Sequence, residues 1–230
     1  MIATESGERE SGQRALRRRI VQHGGMTLLV ALGLAAPAAA QDPDPLLQKG
    51  SASRVRGADG APVFVYEFAD FQCPHCARFA LEVFPSIDSA YVRTGRVHWV
   101  FVNLPLPSHA RAWLAHEAAL CAGATADRFW AMHDLLFAAQ QEWAQAEDPA
   151  AVLARLAREA GVPPDRYGAC VADDRVAAIL LQDVIFAATS RVNGTPAFNV
   201  NNEQSVMGLK TFDEWRQILD KALSAQKRSR

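Results

Sequence analysis

At 230 residues, half of them hydrophobic and 21% charged, the chain is long enough for one packed domain with a sizeable insertion and too short for two full domains. A formal net charge of -1 supplies neither the basic field that nucleic acid requires nor an acidic tail, so any specificity has to come from a local site.

The N-terminal forty residues differ from the rest. Arg14, Arg17, Arg18 and Arg19 precede an apolar run from Met26 to Ala36 that is too short to span a bilayer, and Ala38, Ala39 and Ala40 supply the small residues that a signal peptidase cuts after. Residues 1–40 therefore predict a signal peptide, with the mature chain starting at Gln41 in a periplasmic or other extracytoplasmic compartment. A retained membrane anchor is the alternative that the short, proline-diluted run argues against. Arg17-Arg18-Arg19-Ile20-Val21 also resembles a twin-arginine export signal, and the long charged lead is compatible with a start codon further downstream. Export places the four cysteines in oxidising surroundings, where they are read first as two pairs out of three possible pairings. Cys73 and Cys76 are close neighbours and pair naturally, which leaves Cys121 with Cys170.

Residues 41–60 are polar, without a sustained apolar period, and predict a leader into the fold; they are too few for a dimerisation domain. Val63 to Phe68 is a run of strand formers interrupted by Glu67, and its near-continuous apolarity predicts a central strand. A helical pattern follows Cys76 through Phe79, Leu81, Val83 and Phe84, with a kink expected at Pro85 and a stop at Gly95. Val97 to Val102 is the next strand, which makes residues 61–108 a βαβ unit with a parallel pair. Residues 109–190 read as helical throughout: Asp148-Pro149 is a cap followed by proline at the first helical position, and Leu153, Leu156, Ala157 and Ala160 form one face. Trp113, Trp130 and Trp143 fit helix packing or groove lining. In residues 191–230 the Asn193-Gly194-Thr195-Pro196 break precedes a hairpin turning at Asn201-Asn202, and Thr211 with Glu214 forms a capping box for the last helix.

Disulfide exchange requires a thiolate at working pH, a second thiol near enough to resolve a mixed disulfide, and access for a partner's sulfur. Cys73-Pro74-His75-Cys76 can supply these. Between a strand and a helix, Cys73 meets unpaired N–H groups at the helix start, Pro74 suits the first turn, His75 can add positive charge, and Cys76 lies one turn further in. Zinc uses the same Cys-x-x-Cys spacing but needs two more ligands. The sequence has no second such pair; His109 and His116 are wrongly spaced, and His98 and His133 fall in apolar segments. No metal and no cofactor is expected beyond a redox-active Cys73–Cys76 disulfide.

The segment Glu67-Phe68-Ala69-Asp70-Phe71-Gln72-Cys73-Pro74-His75-Cys76 resembles the active-site segment of the DsbA-like branch of the thioredoxin superfamily. Val192-Asn193-Gly194-Thr195-Pro196-Ala197-Phe198 is similar to that family's second signature, and Glu117 to Gly123 and Phe129 to Phe137 resemble its helical insertion. The resemblance implies an α/β thioredoxin fold with an inserted helical domain, in the order βαβ, helices, ββα. It implies Cys73 as nucleophile, Glu67 as a buried acid assisting proton transfer near Cys76, and a cis Pro196 that leaves the Thr195 backbone free to pair with an extended substrate strand. A structural Cys121–Cys170 bridge within the insertion fits the same picture. The implied partners are unfolded or reduced exported proteins and a membrane reoxidant of DsbB or VKOR type, met by a monomer. A reductase or isomerase of the same fold is the alternative, because Thr195 before the proline occurs in such relatives, and a Cys-x-x-Cys metal chaperone is a more distant one.

Overall fold

The computed structural model describes residues 44–228; the signal-peptide, anchor and twin-arginine expectations concern residues outside that range. Among the described residues, strands β1 (Val55–Arg56), β2 (Val63–Ala69), β3 (Val97–Asn103), β4 (Ala197–Val200) and β5 (Gln204–Met207) form one sheet in the order β1-β3-β2-β4-β5. The central β2 and β3 are parallel, and the other neighbours are antiparallel. This is the expected thioredoxin-like α/β fold. Asn201 and Asn202 take the φ values of 54° and 58° that the tight β4–β5 hairpin demands.

Both faces of the sheet are covered, which explains why β2 reads as almost continuously apolar. Val63 and Val65 lie on the face packed with Phe79, Trp99, Phe198 and Trp215, while Tyr66 and Phe68 meet Phe186 on the opposite face. Helix α2 (Pro74–Arg78) starts at the cysteine motif and continues through a π-helical turn (Phe79–Val83), α3 (Phe84–Ile87) and a second π-helical turn (Asp88–Val92). The kink expected at Pro85 is thus absorbed by wider turns on both sides of a short helix that holds Pro85 near its start, where its missing N–H costs least. Gly95, at φ 73°, follows the last turn.

The insertion comprises α4 (Ala112–Ala126), α5 (Phe129–Ala138), α6 (Gln140–Gln145), α7 (Pro149–Glu159), α8 (Pro164–Asp173) and α9 (Ala177–Thr189). Asp148 caps α7 by accepting the Ala151 N–H at 3.0 Å. The run expected from Asp173 to Ser190 begins later, because Asp174 turns left-handed at φ 57° and breaks it. Helix α10 (Phe212–Arg228) buries Trp215 and Leu219 against the sheet, and its capping box is formed: Glu214 Oε2 accepts the Thr211 N–H at 2.8 Å, and Thr211 Oγ1 accepts the Glu214 N–H at 3.3 Å.

The leader differs from expectation. Residues 45–53 form helix α1 (Pro45–Ser53), and β1 then pairs with β3. Asp44 caps α1 through the Leu46 N–H at 2.8 Å. The helix lies so close to α4 that a Cβ on Gly123 would fall 2.0 Å from Ser53 Oγ. Small residues at that crossing, rather than an apolar stripe, let α1 dock, which is why hydrophobic periodicity does not reveal it.

Candidate active site

Strand β2 leads directly into the loop that presents the motif. Cys73 is the N-cap of α2 with extended backbone angles, Pro74 opens the helix, and Cys76 sits within its first turn. Both thiols are free. Cys73 exposes 4% of its surface and Cys76 none, so the order of access is as expected from a helix start while the margin is narrow. His75 is exposed.

The two sulfurs have opposite proton affinities. The Cys76 thiol donates to Cys73, and with the Thr195 side chain and the N–H groups of Cys76 and His75 it outweighs burial, holding Cys73 at about 5 against an ordinary 9.0. Cys76 is pushed well above 9.0, first by burial and then by the hydrogen bond and charge of Cys73. Across the site lies the cis Thr195–Pro196 bond. The Thr195 carbonyl accepts from Cys73 Sγ at 3.5 Å, a bond that exists only while the thiol keeps its proton. The buried Thr195 hydroxyl, which bonds no oxygen or nitrogen among the described residues, can donate to Cys73 once it ionises.

Glu67 lies on β2, buried, with Oε2 accepting from Trp99 Nε1 at 2.8 Å and Oε1 unpartnered among the described residues. Burial raises it from 4.5 to about 8, and the Trp99 bond only partly opposes this. Near neutrality it is therefore a protonated acid. Cys121 on α4 and Cys170 on α8 are joined by a disulfide.

Several residues that frame the site were given no individual role by the sequence. Asp70, fully buried, accepts from the Gln72 N–H through Oδ1 and from the Leu106 N–H and His109 Nδ1 through Oδ2, each at 2.7 Å. Gln72 Oε1 accepts the Arg111 N–H at 2.9 Å. Gln140 Nε2 donates to the Phe71 carbonyl at 2.7 Å and to the Cys73 carbonyl at 3.0 Å. The active-site loop is thus sewn to the segment entering the insertion and to α6. Their partners are mostly backbone groups or distant side chains, which no spacing rule anticipates. The histidines do not converge: His109 meets Asp70, His116 meets Asn103 and His133 meets Asp134. Among the described residues no cluster of His, Cys, Asp or Glu is gathered that could hold a metal.

A cysteine pair at a strand-to-helix junction, faced by a cis-proline in a thioredoxin fold split by helices, is the arrangement that the sequence resemblance implied. Residues 49–221 match the thioredoxin family, and the chain belongs to it. It is 26% identical over 173 residues to disulfide bond formation protein D of Bacillus subtilis, covering 75% of this chain and 78% of that one. The crystal structure of oxidised BdbD from Bacillus subtilis superimposes with a TM-score of 0.68 at 27% identity, over 76% of this chain and 94% of that chain. The Na(+)/H(+) antiporter NhaA 3 of Salinispora tropica is 40% identical over 151 residues, 65% of this chain and 22% of the antiporter. The chain thus spans about a fifth of the antiporter's length (22%), and none of its described helices is long and apolar enough to cross a membrane.

Proposed function

We propose that this protein is an exported thiol:disulfide oxidoreductase that acts as a monomeric oxidase, donating the Cys73–Cys76 disulfide to reduced proteins outside the cytoplasm. The observation that carries this reading is the contrast between the two thiols, with Cys73 held down to about 5 and Cys76 pushed well above 9.0. Stabilising one thiolate stabilises the dithiol form, and a stable dithiol makes the disulfide a strong acceptor of electrons.

In the forward direction a substrate thiolate attacks Cys73 Sγ. The Cys73–Cys76 bond breaks, a mixed disulfide forms, and Cys76 leaves with the bonding pair. Because Cys76 holds a proton tightly it must be protonated as it leaves, and the neutral carboxyl of Glu67 is the buried acid suited to supply that proton. A second substrate thiolate then attacks the substrate sulfur of the mixed disulfide and expels Cys73, a good leaving group because its pKa is low. The substrate has lost two electrons and the enzyme has gained them. His75 contributes its N–H to Cys73, and Pro74 fixes the first turn. Thr195 and Pro196 form the edge against which an extended substrate segment would lie. The Cys121–Cys170 bridge takes no part in the exchange. A membrane enzyme of DsbB or VKOR type would restore the disulfide.

Oxidised protein at substoichiometric amounts, with glutathione disulfide as terminal oxidant, should speed disulfide formation in a reduced unfolded substrate. Reduction of a substrate disulfide in preference to oxidation of its dithiol would move the assignment to a reductase, and metal bound by the pair without catalysed exchange would favour the chaperone.

A further inference from the structure

The loop from Asp70 to Cys73 has to place one sulfur where several donors converge, yet Cys73 makes no side-chain cap of its own helix. Its backbone is held from outside. Gln140, only 6% exposed at the start of α6, directs its carboxamide nitrogen at two carbonyls, those of Phe71 and Cys73. The Cys73 carbonyl also accepts the Ala77 N–H at 3.1 Å, the bond that opens α2. A donor fixed on a carbonyl sets the rotation of that peptide plane. Gln140 therefore fixes the peptides on both sides of the Gln72–Cys73 step and the origin of the turn to which the N–H groups of His75 and Cys76 belong. Phe71 is anchored at its other end as well, its ring lying 4.8 Å from His116, 4.9 Å from Phe137 and 5.1 Å from Phe101.

We propose that Gln140 is a positioning residue for the Cys73 nucleophile, through which the helical insertion holds the N–H groups of the first helical turn on the Cys73 sulfur. The inference rests on Cys73 being the attacked and expelled sulfur, and it gives the insertion a role in the chemistry. A carboxamide suits the position because its nitrogen can satisfy two acceptors at once. An isosteric carboxylate meets the same two oxygens with acceptors and brings negative charge beside the thiolate.

The test uses the whole reduced protein and follows Cys73 by thiolate absorbance and by alkylation rate across pH. Gln140→Met keeps the length and removes the donors; it should raise the Cys73 titration midpoint by about one unit, and with it lower the equilibrium constant for oxidising glutathione roughly tenfold. Gln140→Glu should raise the midpoint at least as far. A merely structural residue would lower the melting temperature and leave the midpoint where it was. An unmoved midpoint in either variant that folds overturns the proposal, and so does failure of both to fold, which would make Gln140 a determinant of the fold instead. A wild-type Cys73 that titrates near 9 would instead contradict the functional reading itself, so the two failures are distinguishable.

Discussion

The two cysteine pairs lie in one hydrophobic cluster, yet the chain around them prepares opposite fates. Cys121 and Cys170 come from α4 and α8, are separated by 49 residues, and are bonded to each other. Both lie buried among the apolar residues of that cluster. Cys73 and Cys76 share one helical turn, and the Thr195 side chain, backbone N–H groups and the two sulfurs themselves bear on their protons. Burial alone therefore does not make a cysteine inert; what matters is whether the buried surroundings can hold the charge that follows when the bond opens.

Serine substitution breaks the comparison most severely. Cys73→Ser should abolish exchange, and Cys76→Ser should accumulate mixed disulfides with substrate, visible as adducts that dissolve on reduction. Faster alkylation of Cys76 than of Cys73 in the reduced wild type would reverse the roles.

The other pair should matter to stability and little to chemistry. Replacing Cys121 and Cys170 together by alanine removes the closure of a 49-residue span, which loop entropy values at about 4 kcal/mol. Denaturant unfolding should show a loss of that order, with catalysed oxidation retained below the new transition. Mass mapping after graded reduction should find Cys73 and Cys76 labelled first. Labelling of Cys121 and Cys170 before them would contradict the division of labour.

A subtler difference lies in the pH dependence of the two redox forms. Cys73 falls from 9.0 unfolded to about 5 folded, so the dithiol form carries extra stability that is fully present above pH 9 and is lost as pH falls through 5. The disulfide form has no such titration. Glu67, raised to about 8, acts in the reverse sense, its contribution present below 4.5 and lost as pH rises through 8; it stands in both forms and largely cancels in their difference. The reduced protein should therefore be the more stable at neutral pH, with the gap closing toward pH 5. A gap that does not change between pH 5 and 7 would argue against a stabilised thiolate.

Much of this was legible in the sequence wherever a local rule applied. The βαβ opening, the Asn201-Asn202 turn, the Thr211–Glu214 box and the capped start of α7 each follow from residues a few positions apart. Helix α1 shows how such a rule is overlooked: Asp44-Pro45 is the same start signal as Asp148-Pro149, but without an apolar stripe behind it the segment reads as a leader. The cysteine motif and Glu67 stood out because their residue types are costly or reactive in a strand-to-helix junction. Gln140 and Asp70 did not. Gln140 acts on carbonyls 67 and 69 positions away, and one glutamine among the three of a short helix has no periodicity to betray it.

The central claim is that the asymmetry between Cys73 and Cys76 makes the protein an oxidant, and the reduction potential of the Cys73–Cys76 couple tests it most directly. Equilibration with glutathione buffers, read by thiol labelling, should place the potential far above the value of about -270 mV typical of thioredoxin and toward the value of about -120 mV typical of DsbA. A potential at or below that of thioredoxin would contradict the account and make the protein a reductant.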